Sequence, residues 1–383
     1  MTKSKAKGDT AKGSGIMTTD YDHGGNVFAV ARSLGVRPEE ILDFSASINP
    51  LGMAPGMKEA LSSSFELLKH YPDSEAVELS LALAAFHGLE PATVCVANGS
   101  TELIYLLPRL IMGRRALIVA PAFSEYAKAL EREGWEIAYL ALAADNGFAL
   151  SLQSLEARLA EGFDALFLCN PGNPTGALLP PATIEKVRAL CCATGTFLVL
   201  DEAFMDFCEE ESAKHLIVKG GGVVLRSLTK FFAIPGLRLG YALGSPEVIA
   251  GLAALRQPWS VNTPAQLAGL AALADNDYRQ RTRQLVAAER DFLAEGLAAI
   301  NGLIPYPAAA NYLLVEIKGG PSAAELRRSL LGRGILIRDC ATFYGLDGRF
   351  FRVAVRRREE NVRLLDQLAL ALSRVSNAPP QAS

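Results

Sequence analysis

Short runs of apolar residues alternate along the first two thirds of the chain with longer segments in which apolar residues recur every three or four positions. The short runs have the length and composition of strands buried on both faces, and they lie at 115–120, 164–170, 196–203, 221–228 and 239–244. The longer segments, such as 151–162 and 181–195, predict amphipathic helices. This alternation predicts an α/β fold with a central, mostly parallel sheet flanked by helices.

The pattern changes after about residue 262. A helical stretch at 264–301 leads to an apolar run at 311–317, a helix and a strand within 326–340, a strand at 350–356 and a last helix. We therefore expect a smaller α+β domain at the C-terminal side. The predicted organisation is a disordered leader, an N-terminal arm, a large domain, a small domain and a disordered tail, at 1–16, 17–50, 51–262, 263–375 and 376–383.

Composition narrows the possible partners. The chain has 383 residues, of which 50% are hydrophobic and 21% charged, and its net charge is −3. This slightly acidic balance gives no electrostatic reason to expect a nucleic acid or an anionic membrane as a partner. Charges or turn residues interrupt every long apolar run, so no transmembrane helix is predicted.

The six cysteines favour a reducing compartment. None is arranged as C-x-x-C, and the adjacent pair Cys191 and Cys192 is more typical of packed side chains than of a metal or redox site. No metal site is predicted. The first sixteen residues contain Lys, Gly and Ser without an apolar core, so they do not form a secretory signal. We expect a cytoplasmic protein.

Four polar clusters follow predicted strands, where open α/β sheets bind ligands. They are Asn98–Thr101 at a helix start, Cys169–Gly176 with its amides, the acidic pair Asp201 and Glu202, and the segment 226–241. Each has a simple structural interpretation: a helix cap, a turn, a cap of the next helix, and a lysine whose amine reaches water. Lys230, however, lies in the apolar sequence SLTKFFAIP, where a lysine can be held inside for chemistry.

Taken together, the clusters resemble a known enzyme family. Asn173, Asp201, Lys230 and Arg238 occur in this order within NPTG, DEA, SLTK and GLRLGY. This set resembles the fold-type I enzymes that depend on pyridoxal 5′-phosphate (PLP), the aspartate aminotransferase superfamily. The resemblance implies a PLP-dependent transferase fold with a large domain and a small C-terminal domain.

The resemblance also implies a role for each residue near the cofactor. Lys230 and Asp201 are the expected catalytic residues: Lys230 would form a Schiff base with the aldehyde, and Asp201 would hold the protonated ring nitrogen. Phe123 would cover one face of the ring, and Asn173 would donate to its 3′-oxygen. The phosphate would be held by a helix start, a hydroxyl and a guanidinium, at Gly99, Ser100, Thr101, Ser227 and Arg238.

A narrower resemblance runs from about His23 to Leu372. HGGNVFAVARSLGV, ILDFSASINPLGM, PAFSEYAKAL, PWSVN and FFRVAVR resemble the threonine-phosphate decarboxylase family of cobalamin biosynthesis. That family converts L-threonine O-3-phosphate to (R)-1-amino-2-propanol O-2-phosphate and CO₂, so the expected activity is a PLP-dependent decarboxylase. The alternative is a histidinol-phosphate or related aminotransferase. A ligand sensor without catalysis is a third hypothesis, disfavoured because the cofactor residues are complete.

The choice of reaction depends on the substrate's orientation, because the bond held perpendicular to the cofactor ring is the one that breaks. The resemblance assigns substrate binding to His23, Gly24, Ser47, Asn49, Asn173, Arg338 and Arg352. Which of the two arginines takes the carboxylate and which the phosphate stays open. HGGN also has a simpler interpretation, as a flexible turn.

Two further features concern the cofactor environment. Tyr71, in HYPD, matches a family tyrosine that reaches the cofactor phosphate of the neighbouring subunit, which implies a homodimer with shared active sites. Its alternative role is a Tyr-Pro turn that ends a helix. Phe204, in DEAF, stands where many aminotransferases of the superfamily have tyrosine, so Asn173 would be the main donor to the 3′-oxygen.

Overall fold

The structure is a computed structural model that describes residues 24–376. The predicted leader, His23 and the part of the predicted tail after residue 376 lie outside the described residues. The helices α1 to α14 are Val27–Leu34, Pro55–Ser63, Val77–His87, Gly99–Leu110, Glu125–Arg132, Leu152–Leu159, Pro181–Thr194, Lys214–Ile217, Leu228–Phe231, Pro246–Leu255, Thr263–Ala274, Asn276–Ala298, Ala323–Leu331 and Arg358–Ser376.

The strands β1 to β13 are Leu42–Asp43, Val94–Ala97, Arg115–Ala120, Glu136–Ala141, Ala165–Cys169, Phe197–Asp201, Gly222–Ser227, Gly240–Gly244, Leu303–Pro305, Tyr312–Ile317, Ile335–Leu336, Arg338–Asp339 and Phe350–Ala354. All five strands predicted for the large domain are present. Two others, β2 and β4, were not predicted from the sequence.

The large sheet has the order β2-β8-β7-β6-β5-β3-β4 within the described chain. The neighbours from β7 to β4 are parallel, whereas β8 runs antiparallel to both β7 and β2. The predicted mostly parallel sheet is thus confirmed, with β8 as the exception. Its parallel strands all end at one edge, which is where polar residues follow them in the sequence.

Alternating side chains bury both faces of this sheet. On β6, Leu198 and Leu200 pack into one apolar cluster and Val199 into the other. On β7, Val224 packs into the first of these clusters and Val223 into the second. Burial on both faces explains why these strands read as continuous apolar runs in the sequence.

A second sheet, of order β12-β13-β10-β9 in the described residues, lies in the C-terminal part. It packs with α13, α14 and the end of α12 around a separate apolar cluster. The arm contributes to this region, since β1 pairs in parallel with β11 and Phe44 joins the cluster.

The predicted continuous helix at 264–301 is interrupted. Asp275 ends α11, and its side chain accepts a hydrogen bond from the Tyr278 backbone N–H at 2.9 Å, which caps α12. Apolar periodicity continues across this break, so the pattern alone does not reveal it. Ala265 and Tyr278 still pack into a cluster of the large sheet, whereas Leu293 packs against the small one. The domain boundary at residue 262 stays a prediction.

A buried charged cluster lies at the carboxyl ends of β6 and β7. Arg226 pairs with Glu202 at 3.2 Å, with Asp206 at 3.2 Å and with Glu209. Glu202 directly follows Asp201, and Arg226 directly precedes Ser227. The cluster therefore ties together the two strand ends that carry Asp201 and Ser227. No helix in the region from 24 to 376 is both long and apolar enough to cross a membrane.

Candidate active site

A cavity of about 580 Å³ opens at the carboxyl ends of three neighbouring parallel strands. Cys169, Asp201 and Ser227, the last residues of β5, β6 and β7, all line it. This is the position in which open α/β sheets bind their ligands. The cavity brings together most of the predicted site residues: Gly24, Ser47, Ser100, Thr101, Phe123, Asn173, Asp201, Ser227, Lys230, Arg238, Arg338 and Arg352.

Lys230 lies in the short helix α9, directly after β7. Burial, together with the positive charges of Arg352 and Arg238, lowers the pKa of its amine to about 8, against the opposing effect of Asp201. A larger fraction of this amine is therefore neutral near physiological pH than for a lysine in water. A neutral amine is the form that attacks an aldehyde.

Asn49 supports this helix turn and does not reach the cavity. Its side-chain amide donates to the backbone oxygen of Phe231 at 2.7 Å and to the hydroxyls of Tyr278 and Thr282 at 2.8 Å. Its backbone N–H donates to the carbonyl of Lys230 at 3.1 Å. The predicted substrate role of Asn49 is corrected accordingly: its buried hydrogen bonds orient the lysine segment.

Asp201 is buried beside the lysine. Its Oδ2 accepts a hydrogen bond from the Tyr126 hydroxyl at 2.5 Å, and its Oδ1 accepts one from the backbone N–H of Ala203 at 2.9 Å. Burial raises the pKa of the carboxyl, while the hydrogen bond from Tyr126 lowers it. This buried carboxylate can pair with a cationic group in the cavity.

A group of donors collects where α4 begins. Gly99 has φ of +75°, and a Cβ there would lie 2.7 Å from Nη2 of Arg238. Arg238 itself has a left-handed backbone with φ of 60°. The Ser227 hydroxyl is hydrogen-bonded to Thr229 at 2.8 Å. A helix start, hydroxyls and a guanidinium together suit a phosphate group.

Two arginines face the cavity from the small sheet. Arg352 donates to the side-chain oxygen of Asn173 and, at 3.1 Å, to the backbone oxygen of Ser45. Arg338 donates to the Thr342 hydroxyl at 3.0 Å. Both arginines are largely buried, which fixes their guanidiniums for binding an anion.

The N-terminal arm covers part of the cavity. The backbone N–H of Gly25 donates to the Ser45 hydroxyl at 2.9 Å, and a Cβ on Gly24 would lie 2.1 Å from the backbone oxygen of Ser45. The hydroxyl of Ser47 is buried without a hydrogen-bond partner among the described residues and lines the cavity. His23, the remaining arm residue predicted to bind substrate, lies outside the described residues.

Tyr71 does not line this cavity. Its side chain is 79% exposed and stacks on Trp259, with ring centroids 4.8 Å apart. Its predicted role, toward a neighbouring subunit, stays a prediction. Phe204 does line the cavity and packs edge-on against Tyr312 at 4.9 Å.

Tyr126 is the main residue that the sequence analysis missed. It follows Phe123 by three positions, a spacing that brings two side chains to the same side of a helix start. That spacing was a usable signal, because Phe123 was already expected beside the cofactor. Thr342, which binds Arg338, gave no comparable signal, because it lies in a loop whose path depends on the tertiary fold.

Comparisons with known proteins agree with this site. A family model described as aminotransferase class I and II matches residues 39–368. Threonine-phosphate decarboxylase from Salmonella typhimurium is 41% identical over 359 residues, covering 93% of this chain and 98% of its own. Histidinol-phosphate aminotransferase from Methanothermobacter thermautotrophicus is 30% identical, covering 91% of this chain and 93% of its own.

Solved structures of the same two enzyme types are also similar to this chain. L-threonine-O-3-phosphate decarboxylase from Porphyromonas gingivalis has a TM-score of 0.76 at 28% identity, covering 86% of this chain and 99% of its own. Histidinol-phosphate aminotransferase from Sinorhizobium meliloti, solved with pyridoxal-5′-phosphate, has a TM-score of 0.78 at 25% identity, with coverages of 91% and 93%. The expected fold is thereby confirmed.

Proposed function

Because the chain belongs to the aminotransferase class I and II family, we propose that it is a lyase that removes CO₂ from L-threonine O-3-phosphate. The product would be (R)-1-amino-2-propanol O-2-phosphate, a precursor for cobalamin. The similarity to the Salmonella typhimurium decarboxylase over 93% of the chain supports this substrate. The observation that carries the proposal is one cavity that is lined both by Lys230 and by two arginines of the small sheet.

Pyridoxal phosphate is the cofactor, and the cavity residues fit it. Lys230 would hold its aldehyde carbon, Asp201 its ring nitrogen and Phe123 one face of its ring. Its phosphate would be bound by Ser100, Thr101, Ser227 and Arg238, with Gly99 leaving room for the guanidinium. When bound, this cofactor supplies an electron sink that accepts the electron pair of the broken bond.

The substrate has two anionic groups, and the cavity has two arginines for them. Arg352 is hydrogen-bonded to Asn173, which would lie beside the cofactor ring, and Arg338 is hydrogen-bonded to Thr342. Together they would fix the substrate at two points and so orient the bond from its α-carbon to the carboxylate. The apolar surfaces of Phe204 and Phe343 would exclude water from the same space.

The proposal is tested by incubating the purified protein with PLP and O-phosphothreonine and measuring CO₂. We expect release that depends on the substrate's phosphate, with no release from Lys230→Ala. Arg281→Ala is a matched surface control, because Arg281 pairs only with Asp277 on the exposed side of α12 in the described structure. Release from the wild type no greater than that from Lys230→Ala would contradict the proposal.

A histidinol-phosphate aminotransferase is the second candidate, supported by the 30% identity to the Methanothermobacter thermautotrophicus enzyme. Such an enzyme would transfer the amino group of histidinol phosphate to 2-oxoglutarate, which yields one glutamate and one ketone phosphate for each substrate consumed. We expect no stoichiometric glutamate from this chain. The greater identity to the decarboxylase favours the first candidate.

We further propose that the protein acts as a homodimer in the cytoplasm. Tyr71 is exposed and stacks on the half-exposed Trp259, and an exposed apolar pair of this kind suits a surface covered by a second copy. The six free cysteines are typical of a reducing compartment.

A complementation experiment tests whether the sites are shared. Lys230→Ala and Tyr71→Ala should each be inactive alone, and hybrid dimers of the two should contain one intact site. Unfolding and refolding them together should restore up to about a quarter of the wild-type activity. Hybrids that stay inactive, or a monomer in analytical ultracentrifugation, would contradict the shared site.

A further inference from the structure

Tyr126 makes a short hydrogen bond to the carboxylate at the centre of the cavity. Its hydroxyl lies 2.5 Å from Oδ2 of Asp201, and its ring is completely buried. Tyr126 does not itself line the cavity. Its hydroxyl can act on the chemistry of the cavity through Asp201, which does line it.

The position of Tyr126 follows from the start of α5. Its ring packs edge-on against Phe123 with centroids 5.9 Å apart, and lies 5.5 Å from the ring of Phe167 on β5. The ring is thus held between the cavity wall and the sheet, and only its hydroxyl reaches the end of β6. One segment therefore supplies both a residue for the cofactor face and a partner for Asp201.

Asp201 accepts two hydrogen bonds from other residues of the protein. Tyr126 donates to one oxygen and the Ala203 backbone to the other. An ionised carboxylate has about four acceptor positions, so further positions on Asp201 can take a donor from the cavity that it lines. The carboxylate is thereby oriented before any cavity ligand is bound.

The other groups near Asp201 add little negative charge. Cys169 lies directly opposite Asp201 in the pairing of β5 with β6, and burial raises the pKa of its thiol so that it stays neutral. Burial likewise raises the pKa of Tyr312 far above its usual value. The Lys230 amine is the cation that acts on Asp201 from the cavity side.

We propose that Tyr126 is a positioning residue that keeps the Asp201 carboxylate ionised and aimed at the ring nitrogen of pyridoxal phosphate. This inference rests on the proposed function, because it requires that cofactor. It adds a residue outside the cavity to the groups that determine how tightly the cofactor is held.

The predicted effect has a definite sign. Burial raises the pKa of Asp201 and the hydrogen bond from Tyr126 lowers it, so removing the hydroxyl moves this pKa further upward. A protonated Asp201 cannot pair with a cationic ring nitrogen. Loss of the hydroxyl therefore weakens cofactor binding most strongly on the acid side of the pH range.

The test compares Tyr126→Phe with Tyr105→Phe. Tyr105 also donates its hydroxyl to a carboxylate, Glu125 at 2.6 Å, but it lies outside the cavity lining. Both substitutions keep an aromatic ring and remove one hydroxyl. The dissociation constant of PLP is measured by titrating the apoprotein and following the visible absorbance of the bound cofactor, at a series of pH values.

We expect Tyr126→Phe to bind PLP about tenfold more weakly near neutral pH, as for the loss of one charge-assisted hydrogen bond. Its loss of affinity on acidification should begin about one pH unit higher than in the wild type. Tyr105→Phe should match the wild type. In an Asp201→Asn background, Tyr126→Phe should cause no further loss, because its partner charge is already gone.

Three results would overturn the inference. The first is a pH profile for Tyr126→Phe that matches the wild type and Tyr105→Phe. The second is a lower melting temperature for apo Tyr126→Phe with an unshifted cofactor profile, which would mean a structural role only. The third is an equal loss of affinity in the Asp201→Asn background. If the wild type itself fails to bind PLP, the proposed function fails together with the inference.

Discussion

Arg338 and Arg352 lie directly opposite each other on the antiparallel strands β12 and β13. Two like charges in this position destabilise a sheet unless an anion lies between or above them. Both guanidiniums line the cavity that contains Lys230. Nε of Arg352 is buried without a hydrogen-bond partner among the described residues. The pair therefore has the geometry of a site that is completed by an anionic substrate.

Replacing either arginine with lysine should raise KM for O-phosphothreonine by about tenfold or more, because lysine keeps the charge but loses the bidentate geometry. Arg352→Lys should also lower kcat, since Arg352 is bonded to Asn173 near the reacting centre. Steady-state kinetics checks both. Arg356→Lys is the control. Arg356 donates hydrogen bonds to Glu360 and to the backbone oxygen of Asp43, and the kinetic constants of this variant should match those of the wild type. Unchanged KM in both cavity variants would exclude the pair from substrate binding.

The lowered pKa of Lys230 should be visible in how the apoprotein captures PLP. Only the neutral amine reacts, so the rate should rise with pH and level off above about pH 8, the value set by burial and two nearby arginines. Arg352→Met removes one of these cations and should move the midpoint upward. Stopped-flow absorbance measures the rate. A midpoint near that of an exposed lysine, about 10.4, would show that the amine is hydrated.

Gly99→Ala should weaken PLP binding by about tenfold, through strain at positive φ and the displaced guanidinium of Arg238. Gly88→Ala is a matched control. Gly88 has φ of +63°, but a Cβ there would meet nothing within 4 Å. It should lower the melting temperature slightly and leave the dissociation constant of PLP unchanged. Equal effects of the two substitutions on PLP binding would mean that the close approach of Arg238 is irrelevant.

Arg226→Met should destabilise the fold by about 3–5 kcal/mol, because it leaves several buried carboxylates without their cation. Arg281→Met breaks an exposed pair with Asp277 and should cost less than about 1 kcal/mol. Urea unfolding of the apoproteins gives the comparison. Similar losses for both variants would show that the buried cluster does not hold the ends of β6 and β7 together.

The sequence predicted the strands whose local apolar pattern matches their burial in the folded structure. The apolar runs of β3, β5, β6, β7 and β8 are buried on both faces, so their pattern identified them directly. β4 is only partly buried at the sheet edge and has no such run. The break at Asp275 was missed because the apolar pattern continues across it.

Among the site residues, too, those whose position follows from the local sequence were predicted and those that depend on distant contacts were not. Residues at strand ends and helix starts, such as Asp201 and Lys230, were predicted because their position along the chain already implies a cavity. Asn49 was misassigned because motif similarity places it near the substrate, whereas its actual partners, Phe231 and Thr282, lie more than 180 positions away in the chain. Tertiary contacts of this kind cannot be read from one local segment.

One reaction decides directly between decarboxylation and transamination. Purified protein with PLP, O-phosphothreonine and 2-oxoglutarate should release CO₂ and form 1-amino-2-propanol O-2-phosphate in equal amounts, without stoichiometric glutamate. Glutamate formed in a one-to-one ratio with consumed substrate, and no CO₂, would show that the protein is an aminotransferase and not a decarboxylase.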